Sequence, residues 1–125
     1  MRNKKKLLPD PETLLPLTPA MFHILLSISD TERHGYGIIK EVERSTDNKV
    51  RLGPGTLYGL IKRMLAEGLI EESEVRPDPK LDDERRRYYR LTDFGRKVAA
   101  AEARRLSELV NIALSKQILP KPYAG

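Results

Sequence analysis

The sequence contains no cysteine and no tryptophan, and its only histidines are His23 and His34. Without cysteine there is no disulfide bond, thiolate metal ligand or cysteine nucleophile. Two isolated histidines also argue against a histidine-based metal site. No apolar run approaches the ~20 residues that a membrane-spanning helix needs. The start of the chain, MRNKKKLLPDPE, lacks the apolar region of a signal peptide. We therefore predict a cytoplasmic protein that binds no metal and no membrane.

The components of an active site are also missing. The sequence has no glycine-rich phosphate loop and no evident set of nucleophile, base and orienting group. The nearest approach to a metal site is the run Asp82, Asp83 and Glu84. These acids are consecutive on an expected loop and have no further ligand at a suitable spacing. The sequence thus predicts that the protein is not an enzyme and uses no cofactor.

Positive charge is abundant and unevenly distributed. The net charge is +5 over 125 residues, a length that suits one domain with a small core. Residues 2–6 hold four bases, residues 71–84 hold seven acids against two bases, and residues 85–90 hold four arginines. This layout permits a contact with nucleic acid. The alternative, that the charged runs are only solvated faces, is equally compatible with composition.

Two helices are expected after an N-terminal arm at residues 1–16, which we expect to be partly disordered with some leucines packed. Thr18 is a suitable N-cap and Pro19 suits the first helical position. The apolar stripe of the first helix is formed by Phe22, Leu25, Leu26 and Ile28. The second helix buries Ile38, Ile39 and Val42. In its opening HGY, at residues 34–36, we expect a structural role in which glycine relieves crowding and Tyr36 packs.

A third helix lies within GPGTLYGLIKRMLAEGLI, residues 53–70. Thr56 is a plausible N-cap, and Gly68 stands where a left-handed C-cap residue belongs. The apolar stripe comprises Leu57, Leu60, Ile61, Met64 and Leu65. The face left over presents Thr56, Tyr58, Gly59, Lys62 and Arg63. Such a face is either a solvated back or a surface for an anionic partner.

After Gly68 the pattern changes to short β-rich runs. LIEESEVR and RRYYRL predict a β-hairpin whose tip is PDPKLDDE. Because strand side chains alternate, Tyr88 and Tyr89 are expected to divide between core and surface. Thr92 then caps a last helix that reaches about Gln117.

The last helix carries an apolar repeat spaced 4, 3, 4, 3. Its members are Ala99, Ala103, Leu106, Val110 and Ala113. This is the spacing of a two-helix contact, so the helix is expected to pair with a second copy of the chain. The alternative is that it folds back on its own domain.

The order of three helices, a hairpin and a helix predicts a mainly α fold with a small β-hairpin. It is the layout of a winged helix-turn-helix followed by a long C-terminal dimerisation helix. We assign residues 17–92 to the winged domain, 93–119 to the dimerisation helix and 120–125 to a tail. In this motif the third helix enters the major groove.

Four motifs together resemble the PadR family of bacterial transcriptional regulators. They are LTPAMFHIL, HGYGIIKEV, GPGTLYGLIKRMLAEGLI and RRYYRLTDFGRKVAA, and they cover about residues 17–100. The resemblance implies a homodimer joined by its C-terminal helices, with winged domains that bind DNA. The single helix after the wing is similar to the short branch of the family. One departure is the acidic wing tip, RPDPKLDDE.

The predicted function is a sequence-specific regulator that binds double-stranded DNA. It would be a repressor on an inverted-repeat operator, released by a small molecule or another signal. The candidate DNA contacts are Thr56, Tyr58, Lys62, Arg63, Arg85 and Arg87. A small-molecule effector, if one exists, is expected at the dimer interface, between the terminal helices and the first helix. The alternative function is a protein-interaction module that keeps the winged fold without binding DNA.

Overall fold

The computed structural model of the chain describes residues 8–73 and 87–120. After a short 3-10 helix, Pro11–Leu14, the helices are α1 (Pro19–Ser27), α2 (Gly35–Ser45), α3 (Pro54–Ala66) and α4 (Asp93–Ser115). The strands are β1 (Arg33–His34), β2 (Ile70–Ser73) and β3 (Tyr88–Leu91). The predicted mainly helical fold, with β2 and β3 antiparallel and α4 as a long final helix, is confirmed.

The sheet has one strand more than the sequence predicted. Its order is β1-β3-β2, so that β3 is central and both neighbours run antiparallel to it. Strand β1 is only two residues long, which is too short to leave a periodic pattern in the sequence. The predicted hairpin tip and the acids at 82–84 lie outside the described residues.

Local signals at the helix ends were mostly reliable. The Thr18 hydroxyl accepts a hydrogen bond from the Met21 N–H at 3.2 Å, and that of Thr92 accepts from the Gly95 N–H at 2.9 Å. Gly68 follows α3 with a positive φ of 77°. The prediction for Thr56 was wrong: α3 begins at Pro54, with Gly53 as an N-cap that offers no side chain. Pro54 fixes the first turn, since its missing N–H needs no partner there.

The core lies between the inner faces of the four helices and the sheet. Its most deeply buried members are Ile24, Leu25, Ile38, Leu57, Met64, Leu69, Ile70, Val42 and Val98. The predicted stripe of α1 was partly wrong, because Leu26 is 46% exposed whereas Ile24 is fully buried. Helix α1 packs against both α2 and α4, so its buried face is set by two neighbours.

The three tyrosines around the sheet also differ from expectation. Tyr88 and Tyr89 are both buried, although they point to opposite faces of β3. Tyr89 joins the core, and the Tyr88 ring meets His34 edge-to-face at 5.2 Å. Tyr36 does not pack inward and is 58% exposed. The structural role expected for His34 is borne out, since its Nδ1 accepts from the Gly37 N–H and caps α2.

Helix α4 has two different halves. The first half packs Phe94 and Val98 into the core and places Gly95 against the Leu69 carbonyl, where a Cβ would collide. The second half extends past Arg105 with exposed apolar side chains. Within residues 8–73 and 87–120, no helix is both long and apolar enough to cross a membrane. The same residues contain no cluster of His, Asp and Glu that could hold a metal ion.

Candidate nucleic-acid interface

The buried side of α3 determines which side faces outward. Leu57, Ile61 and Met64 are almost completely buried, and Leu60 and Leu65 are partly buried beside them. These five residues form the apolar stripe predicted from the sequence. Since the stripe fixes the rotation of the helix about its axis, the remaining positions must point away from the core.

The structure brings four of the six predicted DNA contacts onto this outer face. Thr56, Tyr58, Lys62 and Arg63 are all exposed. Successive helical residues are rotated by about 100°, so Lys62 and Arg63 lie on opposite flanks of the face. Lys62 and Tyr58 border a cleft next to the sheet, whereas Arg63 lies on the side near the start of α1.

The centre of the face, between those flanks, is formed by small residues. Gly55 and Gly59 are exposed, and a Cβ added at either position would meet nothing within 4 Å. Packing within the described chain therefore does not require glycine at either position. A rigid surface could approach the helix backbone closely along this line.

Tyr58 joins α3 to the start of α2. A Cβ at Gly35 would overlap the Tyr58 hydroxyl and ring, so the absence of a side chain at Gly35 lets the tyrosine lie across it. Tyr58 nevertheless remains 51% exposed. Its side chain therefore serves packing and also presents a hydroxyl at the surface, where tyrosine commonly donates to phosphate.

A cleft of about 620 Å³ separates α3 and the start of α2 from the sheet. It is lined by His34, Gly35, Tyr36, Tyr58, Ile61, Lys62, Leu65, Glu72, Arg87 and Tyr89. Arg87, the fifth predicted contact, thus lies across the cleft from Lys62. Burial raises the pKa of Tyr89 at the sheet side, and the negative charge of Glu72 adds to that shift.

Two of the predicted contacts are held by carboxylates. Arg87 Nη1 lies 2.8 Å from Glu72 Oε2, and this hydrogen bond raises the pKa of the guanidinium. Arg63 Nε lies 3.3 Å from Glu67 Oε2, one helical turn away. Lys62 makes no ion pair with any described residue. Arg85, the sixth predicted contact, lies outside the described residues.

Sequence reasoning did not single out Tyr36, Lys49 and Arg51, three exposed residues near the start of α2 or α3. Tyr36 stacks beside His34 at 6.5 Å between ring centroids, and Lys40 Nζ lies 5.5 Å from the Tyr36 ring. Lys49 and Arg51 are exposed in the turn between α2 and α3. The basic residues of NKVR, at positions 48–51 shortly before the third helix, were a sequence signal that pointed to Lys49 and Arg51. Tyr36 had no such signal, because only tertiary packing leaves its ring outside the core.

A second exposed surface lies on the distal half of α4, and we call it the α4 apolar face. It consists of Leu106, Leu109, Val110 and Ile112, which are 36% to 51% exposed. Of the remaining predicted interface residues, Ala103 is exposed, Ala113 is half-buried and Ala99 packs against the core of its own chain. The predicted repeat therefore begins inside the domain and continues beyond it.

Glu102 and Arg105 mark the point where α4 leaves the domain. Glu102 is buried at 2% exposure and receives two hydrogen bonds from Arg105, at 2.7 and 2.9 Å. These bonds, with a further one from the Leu17 backbone, lower the pKa of Glu102 despite its burial. The carboxylate therefore ties the segment before α1 to the middle of α4.

Comparison with known proteins identifies the family to which this chain is similar. The family described as the transcriptional regulator PadR-like family matches residues 24–101. The transcriptional regulator Rv3488 of Mycobacterium tuberculosis is 36% identical over 96 residues, which cover 76% of this chain and 82% of that protein.

Solved structures show the same fold. A transcriptional regulator from Clostridium thermocellum superposes with a TM-score of 0.61 at 27% identity, covering 77% of this chain and 86% of that one. A PadR-like transcriptional regulator from Bacillus cereus superposes with a TM-score of 0.63 at 24% identity, covering 82% and 93% of the two chains.

Proposed function

We propose that this chain, which belongs to the PadR-like family of transcriptional regulators, represses transcription by binding an inverted-repeat operator as a homodimer. Regulation of transcription, and the absence of an enzymatic role, follow from the family. The repressor role, the dimer contact and the individual DNA contacts are the parts proposed here.

The single observation that carries the DNA contact is the outer face of α3. It combines Lys62, which has no ion pair within the described chain, with the hydroxyls of Thr56 and Tyr58. The N-terminus of a helix also favours an anion, because its free N–H groups and dipole point outward there. Side chains of these types make most of the phosphate contacts in protein–DNA complexes.

The α4 apolar face supports the homodimer. Regulators of this family commonly act as dimers, and the described chain offers no internal partner for Leu106, Leu109 or Val110 at their observed exposure. A second copy of the same helix would cover them, since Leu106 and Val110 belong to the apolar repeat of a two-helix contact and Leu109 adjoins them.

Release by a signal would act through the spacing of the two α3 helices. Half-sites one helical turn apart require these helices to be roughly 34 Å apart. A small molecule between α4 and α1 of the dimer would change that distance without covering the DNA face. A ligand that weakens operator binding but contacts Lys62 and Arg63 directly would contradict this route.

The test of DNA binding begins with selection of genomic fragments bound by the full chain. Operator and scrambled duplexes are then titrated by fluorescence anisotropy at several salt concentrations. Lys62→Ala with Arg63→Ala should abolish useful binding while leaving fold and dimer intact. The slope of log affinity against log salt should flatten by up to about 3.6, since a dimer loses up to two contacts per chain at ~0.9 each.

Lys97→Ala with Arg104→Ala is the matched control. It removes the same charge from exposed positions on α4 and should change affinity far less. If one residue of the α3 pair reads guanine, its loss should also cost about 1–3 kcal/mol at one base pair only. Unchanged affinity and slope in the α3 variant would remove α3 as the DNA contact and favour the interaction-module alternative.

A further inference from the structure

The ion pair between Glu72 and Arg87 places a carboxylate on the side of the sheet that faces α3. Glu72 lies opposite Tyr89 in the strand register, and both line the cleft together with Lys62 and Tyr58. A duplex seated on α3 and the wing would therefore approach a negative charge as well as the positive charge of Arg87.

We propose that Glu72 restrains Arg87 and thereby lowers the affinity of this protein for duplex DNA of every sequence. The inference rests on the proposed function, because it assigns a role within the same interface. The pair is locally neutral, so it contributes no net release of counterions when DNA binds. Arg87 alone would contribute one phosphate contact per chain.

The energetics allow the pair to act as a restraint without holding the fold together. Both side chains are largely exposed, at 68% for Arg87 and 46% for Glu72. Exposed ion pairs contribute little to stability because water screens them and the side chains lose freedom on pairing. Removing the Glu72 charge should therefore leave folding intact and alter the interface alone.

The neighbouring glutamate provides a matched control. Glu71 pairs with Arg90 at 2.8 Å, the same distance as in the Glu72 pair, and the two are cross-strand partners in the same sheet. Strand side chains alternate, so Glu71 lies on the opposite face, and neither it nor Arg90 lines the cleft. Neutralising Glu71 makes the same change in net charge without changing the charge inside the cleft.

The experiment compares the parent chain, Glu72→Gln, Glu71→Gln and the double variant Glu72→Gln with Arg87→Ala. Each is titrated against an operator selected from genomic DNA and a scrambled duplex. Glu72→Gln should bind both more tightly and steepen the salt slope by about 1.8 for a dimer, at ~0.9 per chain. Its advantage over the parent should therefore shrink by about 12-fold between about 50 and about 200 mM salt.

The remaining variants test whether the tighter binding of Glu72→Gln comes from the release of Arg87. Glu71→Gln should stay close to the parent, and the double variant should return to the parental slope because the local charge is again zero. Unchanged or weaker binding by Glu72→Gln would overturn the inference, as would an equal gain in Glu71→Gln. Those outcomes leave the proposed function standing if the parent still binds duplex. A parent with no salt-dependent binding would instead refute the proposed function itself.

Discussion

Two exposed surfaces of this molecule have opposite chemistry. The outer face of α3 presents hydroxyls, cations and bare backbone at Gly55 and Gly59, whereas the α4 apolar face presents leucine, valine and isoleucine. A rigid polyanion suits the first surface, and a second copy of the same helix suits the second. Exposure alone is therefore not informative, since the side-chain type at each surface determines which partner it suits.

The largest expected effect comes from placing charge on the α4 apolar face. Leu106→Glu with Val110→Glu would bury two like charges per chain in the proposed dimer contact, and each would cost several kcal/mol if enclosed. Size-exclusion chromatography with light scattering should show a monomer, or no soluble protein. Asn111→Glu, an exposed change on the same helix, should remain dimeric. A well-folded dimer carrying both substitutions would refute the contact.

Removal of positive charge beside α3 should weaken DNA binding, which is a smaller effect than loss of the dimer. The weakening should be the same for every DNA sequence. Arg87→Ala leaves the Glu72 carboxylate uncompensated in the cleft, where its negative charge should repel the duplex and weaken binding. Operator and scrambled duplexes should weaken alike, because a wing beside the backbone contacts phosphates and not bases. Arg85→Ala is expected to act in the same direction. Arg90→Ala, on the other sheet face, is the comparison in the same anisotropy titration. A loss confined to the operator would mean that Arg87 reads a base.

A methyl group at Gly59, in the centre of the outer face of α3, should raise the stability of the protein and weaken its binding to DNA. Gly59→Ala meets no neighbour and should raise the free energy of unfolding by about 0.5–1 kcal/mol, because glycine in a helix interior has excess backbone freedom when unfolded. Denaturant unfolding measures that gain, and anisotropy should show weaker DNA binding in the same protein. A more stable variant that binds DNA as well as the parent would show that the duplex does not approach this line of the helix.

The smallest effect concerns pH and the boundary between the two halves of α4. Hydrogen bonds from Arg105 lower the pKa of Glu102 below its ordinary value of 4.5. Its stabilising contribution is therefore complete above about pH 4.5 and is lost as the pH falls through the lower folded pKa. Glu102→Gln should flatten the pH dependence of the unfolding free energy in that acidic range. Glu108→Gln, which removes an exposed carboxylate from the same helix, should follow the parent curve. Identical curves for Glu102→Gln and the parent would contradict the assignment.

The sequence alone determined the helices, their caps at Thr18 and Thr92, and the two faces of α3. These features depend on residues three or four positions apart, because a helix brings such neighbours together through its own backbone. For the same reason the family resemblance could be recognised from short motifs. The apolar repeat of α4 was also visible as a pattern, and its pairing with a second copy stays a prediction.

Only the tertiary structure decided the features that depend on distant residues. Strand β1 exists because β3 offers an edge to pair with, and that pairing brings His34 against the Tyr88 ring. Glu72 meets Arg87 across 15 positions of sequence, and which face of the sheet they share follows from strand register. A shift of one residue would move every side chain to the other face. No local propensity fixes that register, since it is set by how the whole core packs.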